Sequence, residues 1–317
     1  MGYHQLTQEQ RYHIYGLQQA GKTQKNMAEI VGVHKSTISR EIRRNSGLRG
    51  YRPKQAQVIA TARKAGAPKR EKMTPELTQK IEEKVKMDWS PEQISGRLLR
   101  EEGIRISHER IYQYIKKDKD EGGTLFKHLR HSGRKRKKRF GSEDRRGQIK
   151  NRTSIEERPA IVNNKSRIGD WERDLVIGKN HKGALLSIVD RVSKMTLIKK
   201  TESKSSDVVA EATLQLLKPI SSFVETITND NGKEFADHEV VASKLGAPVY
   251  FCHPYSSFER GTNENANGLI RQYFPKKSSF KKITEEDTQL VMDKLNNRPR
   301  RCLNFATPLE VFCGMTT

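Results

Sequence analysis

The sequence predicts two architectures in one chain: small all-α units in the first half and a mixed α/β sheet domain in the second. In the first half, apolar residues recur at helical spacing behind helix-capping residues such as Thr23 and Ser90. From Ile168 onward, short apolar strands alternate with helical segments. The charge divides near the same place, since residues 1–150 hold 36 Lys/Arg and 17 Asp/Glu, whereas residues 151–317 hold 25 and 21. The first half therefore has the charge balance of a polyanion-binding protein.

Composition excludes several classes of protein. The 317 residues carry a formal net charge of +23 and are only 33% hydrophobic, which suits several small cores better than one large one. The longest apolar runs, such as Ala184 to Val189, are too short to span a bilayer, and the first residues lack a secretory pattern. Three cysteines without a Cys-x-x-Cys pair rule out a disulfide scaffold. We expect a soluble, reduced, cytoplasmic protein.

A helix-turn-helix is predicted within the first 50 residues. One helix is expected over residues 7–19, a second runs from its cap Thr23 to about Ile30, and a third follows the turn at 31–33. The third helix would lie in the major groove of DNA. An ordinary helical hairpin has the same periodicity, but cations and short donors on the outer face favour DNA binding. The predicted DNA contacts on this helix are Lys35, Ser36, Thr37, Ser39, Arg40, Arg43 and Arg44.

A second helical unit is predicted over residues 87–126. Ser90-Pro91-Glu92-Gln93 has the pattern of a capped helix start, and Ser107 opens a further helix. This pair is less basic, so DNA contact and plain packing both stay open. We expect residues 51–86 to be a linker and residues 127–160 to be a basic linker laid along phosphates. Its six consecutive cations are Arg134, Lys135, Arg136, Lys137, Lys138 and Arg139.

The remaining residues, 161–317, are predicted to form one catalytic domain. The expected order is three strands, then helix, strand, helix, strand and two helices, which is typical of a ribonuclease-H-like fold with a mixed five-stranded sheet. In that fold the first strand is central and the fourth pairs beside it. Asp174 lies midway along the first strand and Asp230 closes the fourth, so the two can meet at one edge of the sheet. Glu264, near the start of a later helix, would then lie over them.

Three carboxylates of this kind suit Mg²⁺ or Mn²⁺, and two such ions could cleave a phosphodiester. On the helix of Glu264, Arg271 is two turns further on and could clamp a phosphate. Asp170 and Glu172 share the strand face of Asp174, so geometry alone does not choose among them. We interpret Asp170 as a polar strand start, Asp190 as a turn residue, and Glu172 as support for the site. Glu259 and Arg260 are expected to cap and orient the helix.

The motifs together resemble the insertion-sequence-thirty branch of the bacterial DDE transposases, over nearly the whole chain. The resemblance rests on Ser36-Thr37-Ile38-Ser39-Arg40-Glu41-Ile42, Ser90-Pro91-Glu92-Gln93-Ile94, the stretch from Arg167 to Asp174, Asp230-Asn231-Gly232, Glu259-Arg260-Gly261-Thr262-Asn263-Glu264 and Leu295-Asn296-Asn297-Arg298-Pro299-Arg300. It implies an integrase-type catalytic core with Asp174, Asp230 and Glu264 as the catalytic and metal-binding triad. It favours Asp174 over Asp170, because the family often has His at the position of Asp170.

The function expected from this resemblance is that of a transposase acting on double-stranded DNA. It would bind the terminal inverted repeats of its element, cleave the strand at the ends to free a 3′-hydroxyl, and join that to target DNA by transesterification. Two Mg²⁺ or Mn²⁺ ions, a homodimer or higher oligomer, and a location at the bacterial nucleoid are expected with it. The alternative is a non-catalytic DNA-binding regulator with a degenerate core, and a third possibility is a ribonuclease or resolvase of the same fold. No Gly-Lys-Ser/Thr phosphate loop is present, which argues against an ATP-dependent enzyme.

Overall fold

The chain folds into two compact units, Met1–Lys72 and Met73–Thr317. The structure is a computed structural model that describes residues 5–67, 73–130, 149–181, 183–254 and 256–314. The cationic run from Arg134 to Arg139 lies outside these residues. Within the described ranges, no helix combines the length and the apolar character needed to cross a membrane.

The first unit is a small helical bundle with a short hairpin. Thr7 and Thr23 cap the first two helices by accepting hydrogen bonds from backbone N–H groups, and Gly32 ends the second in the left-handed region at φ 72°. The core contains Ile14, Met27 and Ile38, so the predicted pair of crossing helices is present. The elements are α1 Gln8–Gln19, α2 Gln24–Val31, α3 Lys35–Asn45, β1 Ser46–Gly47, β2 Gly50–Tyr51 and α4 Pro53–Gly66.

The second unit begins with three helices, which we call the helical subdomain (residues 73–130). Ser90 and Gln93 form the expected reciprocal cap, and Gly103 ends that helix. The helices are α5 Pro75–Lys86, α6 Pro91–Glu102 and α7 His108–Asp120, followed by a 3₁₀ turn at Leu125–His128. Residues 51–86, expected to be a linker, instead contain α4 and α5. Ile81 and Val85 of α5 are fully buried in the core of this subdomain.

The rest of the second unit, the sheet subdomain (residues 149–314), is a mixed sheet covered by helices on both faces. Its elements are α8 Ala160–Asn164, β3 Thr153–Ser154, β4 Asp170–Ile177, β5 Ala184–Asp190, β6 Thr196–Thr201, α9 Ser206–Leu217, β7 Thr226–Asn229, α10 His238–Leu245, β8 Val249–Phe251, α11 Gly261–Tyr273, α12 Glu285–Asn296 and α13 Pro308–Phe312. The strand order is β3-β8-β7-β4-β5-β6. The sheet thus has six strands rather than five, because the two-residue strand β3 from the expected basic linker pairs with β8.

Strand β4 is central, as predicted, and its side chains alternate between two cores. Trp171 and Leu175 pack with α9 and α10 on one face, whereas Val176 packs with α11 and α12 on the other. β4 runs antiparallel to β5 and parallel to β7. Asp170, Glu172 and Asp174 share the face of Val176, so they point toward α11.

The helical and sheet subdomains meet at an interface of buried charged and aromatic groups. Asp88, buried and at φ 66°, lies 2.7 Å from Lys294 Nζ and 2.9 Å from His128 Nδ1. Burial acts to raise the pKa of Asp88, but the hydrogen bonds from Lys294 and His128 hold it below its usual value. Arg97 binds both carboxylate oxygens of Glu310. These contacts make the two subdomains parts of one compact unit.

A glycine in α6 allows an aromatic ring to close this interface. A Cβ added at Gly96 would lie 2.4 Å from ring atoms of Phe305. We expect Gly96→Ala to lower the free energy of unfolding by about 1–3 kcal/mol, because the ring must move out of place. Urea unfolding of the variant measures the loss. Gly16→Ala is the control, since nothing lies within 4 Å of its added Cβ, and there we expect no loss. Equal stability of Gly96→Ala and wild type would contradict this packing.

Candidate active site

Two aspartates stand side by side at one edge of the sheet. In the parallel pair of β4 and β7, Glu172 is opposite Thr228. Asp174 and Asp230 each follow that pair by two residues and so share its face of the sheet. A single guanidinium contacts both, with Arg260 Nη1 3.6 Å from Asp174 Oδ2 and Nη2 3.3 Å from Asp230 Oδ2. The structure therefore brings together the two aspartates that the sequence singled out.

Arg260 is the counter-ion of this pair of aspartates. Its side chain is buried, and Nη1 also donates to the Arg173 carbonyl oxygen at 3.1 Å. Burial acts to lower the pKa of Arg260, but the charges of Asp174 and Asp230 outweigh it and hold that pKa above its usual value. The sequence predicted a helix-capping role for Arg260. Its side chain makes no cap hydrogen bond and turns to the aspartates instead.

The carboxylate of Asp174 is held in a defined orientation. Its Oδ1 accepts from the Leu175 N–H and its Oδ2 from Asn267 Nδ2, each at 2.8 Å. Burial raises the pKa of Asp174 to about 6, with Arg260 opposing the rise and the charge of Asp230 adding to it. Asp230 is oriented in turn by the Gly232 N–H, 3.0 Å from its Oδ1. About a quarter of each aspartate side chain stays exposed, so both can be reached by a ligand.

The side chain of Glu264 does not contact Asp174 or Asp230. It lies in the first turn of α11 and is exposed. The side of α11 that meets the sheet carries Asn263, which donates its N–H to Glu172, and Asn267, which contacts Asp174. Among the described residues, no three His, Cys, Asp or Glu side chains form a cluster that could hold a metal ion. Glu264 is thus one helical turn from the Asn267 contact without being part of it.

Glu234 is a carboxylate that the sequence reasoning did not consider. Its charge adds to the rise in the pKa of Asp174. Its carboxylate also lies against Gly232, where an added Cβ would be 2.5 Å from Glu234 Cδ. The sequence indicates this proximity, because Glu234 follows Asp230 by four residues and the turn at Asn231-Gly232 lies between them.

The neighbouring acidic residues have structural partners. Asp170 accepts from Thr226 Oγ1 at 2.8 Å and from Arg167, in keeping with its interpretation as a strand start. Asp190 accepts from the Gly169 and Ser193 N–H groups, as a turn residue does. Glu172 is 1% exposed and binds Arg191 Nη1 at 2.6 Å. Because Glu172 also accepts from the Asn263 N–H, it fixes the start of α11 on β4.

Two further site residues have contacts other than those expected. Glu259 accepts from the His253 N–H at 2.9 Å and lies 2.8 Å from its ring Nδ1, rather than capping α11. Arg271, predicted to clamp a phosphate, donates to the Ile177 carbonyl oxygen at 2.8 Å and lies over the ring of Phe280. The guanidinium of Arg271 is therefore directed into the protein.

The predicted DNA contacts of the first unit lie on one helix, α3. The exposed residues are Lys35, Ser39, Arg40, Arg43 and Arg44, and those partly exposed are Ser36 and Thr37. Arg40 donates to Ser36 at its carbonyl oxygen and its hydroxyl. The buried side of the same helix carries Ile38. α3 thus offers a basic face to solvent while its apolar side holds the bundle together.

Family models match three parts of the chain. A helix-turn-helix domain matches residues 2–45, a homeodomain-like domain matches residues 37–115, and an integrase core domain matches residues 165–257. The last range contains Asp174 and Asp230. The helix-turn-helix range contains α2 and α3, and the homeodomain-like range contains α5 and α6.

Curated relatives match the chain over nearly its whole length. The transposase for insertion sequence element IS4351 of Bacteroides fragilis is 46% identical over 97% of this chain and 95% of that protein. The transposase InsI for element IS30A of Escherichia coli K12 is 39% identical over 96% of this chain and 82% of that protein. The transposase for element IS1086 of Cupriavidus metallidurans is 35% identical over 98% of this chain and 94% of that protein.

Proposed function

This chain belongs to the insertion-sequence transposases, with those of IS4351 and IS30, and we propose that it moves its own element. It binds the terminal inverted repeats, cleaves the DNA strand at the element ends to free a 3′-hydroxyl, and joins that hydroxyl to target DNA. The observation that carries the proposal is the placement of Asp174 on β4 and of Asp230 directly after the parallel strand β7, with one guanidinium between them. Such a pair is the core of a phosphoryl-transfer site.

The residues at this edge fit divalent metal ions. The donors are carboxylate oxygens of Asp174 and Asp230, which Mg²⁺ and Mn²⁺ prefer, and the position already stabilises a cation in the form of Arg260. We propose Asp174, Asp230 and Glu264 as the ligands of Mg²⁺ or Mn²⁺, with two ions bound. When bound, the ions would activate the attacking oxygen and stabilise the leaving oxygen of the phosphodiester.

Protein groups around the aspartates keep the site in place. Asn267 and the Leu175 N–H orient Asp174, while the Gly232 N–H orients Asp230. Glu172 holds the first turn of α11, and with it the backbone of Glu264, against β4. In the proposed reaction, water attacks phosphorus and the 3′-oxygen leaves with a proton. The 3′-hydroxyl then attacks a target phosphodiester, so one such bond replaces another and no energy cofactor is needed.

The DNA partner is proposed to be held by several basic segments. α3 would enter the major groove of an element end. The exposed cations of α7, such as Arg110 and Lys117, would add DNA contacts from the helical subdomain. The run from Arg134 to Arg139 would follow the phosphates. Joining two ends requires at least a dimer. We place this activity in the bacterial cytoplasm, at the nucleoid.

The direct test is cleavage of a labelled duplex that carries the element's terminal sequence. We expect the purified full chain to cut the strand at the element end with Mg²⁺ or Mn²⁺, and to stop when EDTA is added. Binding of the duplex without cleavage under any divalent ion would overturn the proposal in favour of a DNA-binding regulator. Cleavage of RNA–DNA hybrids or branched junctions, but not of duplex ends, would favour a ribonuclease or resolvase.

The helix α3 gives a prediction about binding. Arg40→Ala and Arg43→Ala should each weaken end binding by about tenfold at low salt. The loss should shrink as salt rises, because a phosphate contact releases counterions on binding. Gel shifts over a series of salt concentrations measure this. Arg301→Ala, which removes an exposed arginine of the second unit, is the control and should leave binding unchanged. No loss at any salt concentration would remove α3 from the DNA interface.

Arg260 gives a prediction about metal binding that does not depend on activity. In EDTA, Arg260→Gln should lower the melting temperature by about 5 °C, because Asp174 and Asp230 lose their partly buried counter-ion. Saturating Mn²⁺ should restore most of this loss and should stabilise the variant more than wild type. Arg301→Gln, in an exposed ion pair with Glu92, should show neither effect. If Mn²⁺ raises the melting temperature of the variant and of wild type equally, the ion does not bind at Asp174 and Asp230.

A further inference from the structure

A cavity of about 240 Å³ opens at the N-terminal end of α11, beside the proposed active site. Its lining combines cationic side chains from two loops with the first turn of the helix: Lys165, Arg191, Lys194, Gly261, Thr262 and Asn265. Glu172 and Glu259 complete the wall. Because Glu172 precedes Asp174 by two residues on β4, this wall lies about 7 Å along the strand from the aspartates.

Neither Lys165 nor Lys194 forms an ion pair with a carboxylate among the described residues. Glu172 is engaged by Arg191 and the Asn263 N–H, and Glu259 by His253. Lys194 donates to the Arg191 carbonyl oxygen, a neutral group. Burial lowers the pKa of Lys194, and the nearby charge of Lys165 lowers it further, while the charges of Glu172 and Asp190 act in the opposite direction.

Two further observations indicate that the cavity receives an anion. Arg191 is 5% exposed, and its Nε has no hydrogen-bond partner among the described residues. The cavity also lies at the start of a 13-residue helix, where backbone N–H groups and the helix dipole favour negative charge.

We propose that this cavity binds a backbone phosphate of the DNA next to the phosphate that reacts. Lys165 and Lys194 neutralise it, and Thr262 in the first turn of α11 lies beside it. The role is to position the DNA strand, since these groups lie beside the aspartates and not among them. The inference rests on the proposed function for the identity of the DNA.

The test is a scan of single phosphates in a binding assay without metal. A fluorescent duplex of the element end carries one neutral methylphosphonate at a time around the cleavage point, and anisotropy gives its affinity for the full chain in EDTA. For wild type, we expect one position at which neutralisation weakens binding about tenfold. In the Lys165→Gln/Lys194→Gln variant, unmodified DNA should bind about tenfold more weakly. Neutralising the same phosphate should then cost the variant less than about twofold.

Matched variants and a second ligand keep the outcomes distinct. Lys244→Gln, at an exposed lysine of α10, should retain the tenfold sensitivity at that position. Lys165→Gln alone alters only an exposed side chain, so the loss of coupling can be read even if Lys194→Gln disturbs folding. A scan in which no phosphate couples to either lysine overturns the inference. If inorganic phosphate raises the melting temperature of wild type while the scan is flat, the cavity binds a free anion and the assignment to DNA is wrong.

This experiment can fail separately from the proposed function. It measures binding alone, so a chain that binds ends without cutting them would still show the coupled phosphate. A chain that cuts ends with a flat scan would keep the proposed function and lose the subsite.

Discussion

Asp174→Asn and Asp230→Asn are each expected to reduce metal-dependent strand cleavage by at least about a thousandfold. Each change keeps the size of the side chain but removes a charge that is proposed to hold a cation at the reacting phosphate. Such a cation stabilises the transition state by several kcal/mol. End binding should stay near the wild-type value, because the α3 contacts are untouched. Single-turnover cleavage of a labelled end, with gel shifts beside it, measures both.

The exposed Asp207 in the first turn of α9 offers a matched control. Asp207→Asn makes the same chemical change in the same subdomain and should leave cleavage intact. A loss of folding is checked by the melting temperature of each variant. If a variant of Asp174 or Asp230 folds, binds the element end and still cleaves it, that aspartate is not a catalytic residue.

Glu264→Gln is expected to have an effect of the same size, whereas Glu234→Gln should keep substantial cleavage. The resemblance to DDE transposases assigns the third carboxylate to Glu264, but Glu234 is the glutamate whose charge contributes to the raised pKa of Asp174. The same Glu→Gln substitution is therefore expected to abolish cleavage at one of these two glutamates and to leave it largely intact at the other. We expect Glu264 to be required, because Asn267 holds its helix beside Asp174 and the side chain is free to turn.

Movement of a marker flanked by the element's own ends compares these variants in cells. Wild type supplied in trans should move the marker, Glu264→Gln should not, and Glu234→Gln should. The reverse pattern would assign the third carboxylate to Glu234. If wild type binds ends but neither it nor a variant moves the marker, this copy acts as a regulator or has lost activity.

The sequence predicted those elements whose ends are marked by side chains. Thr23 and Ser90 accept the capping hydrogen bonds expected of them, and α9 spans the residues that its apolar spacing indicates. Strand β3 was missed because two residues have no alternation to detect. α5 lies in the segment expected to be a linker, although Thr74 and Pro75 have the pattern of a capped helix start.

The candidate site was predictable where strand geometry determines it. Asp174 and Asp230 come together because the parallel pairing of β4 and β7 fixes their register. Arg260 was not predictable in its role, since a 3₁₀ turn at Ser257–Arg260 carries it over the aspartates and such a turn has no sequence period. Lys165 and Lys194 were also missed, because they come from separate loops that only the folded sheet brings together.

The interface between the helical subdomain and the sheet subdomain places α7 and the aspartates in one compact unit. Contacts such as Arg97 with Glu310 and Asp88 with Lys294 join the subdomain of α7 to the subdomain of the aspartates. Under the proposed function, DNA gripped by α7 is cut at a set number of base pairs from that grip. One added base pair would turn the helix by about 34° and carry the bond away from the aspartates. The spacing between the gripped sequence and the cut must then be inherited intact, together with the sequence that is gripped.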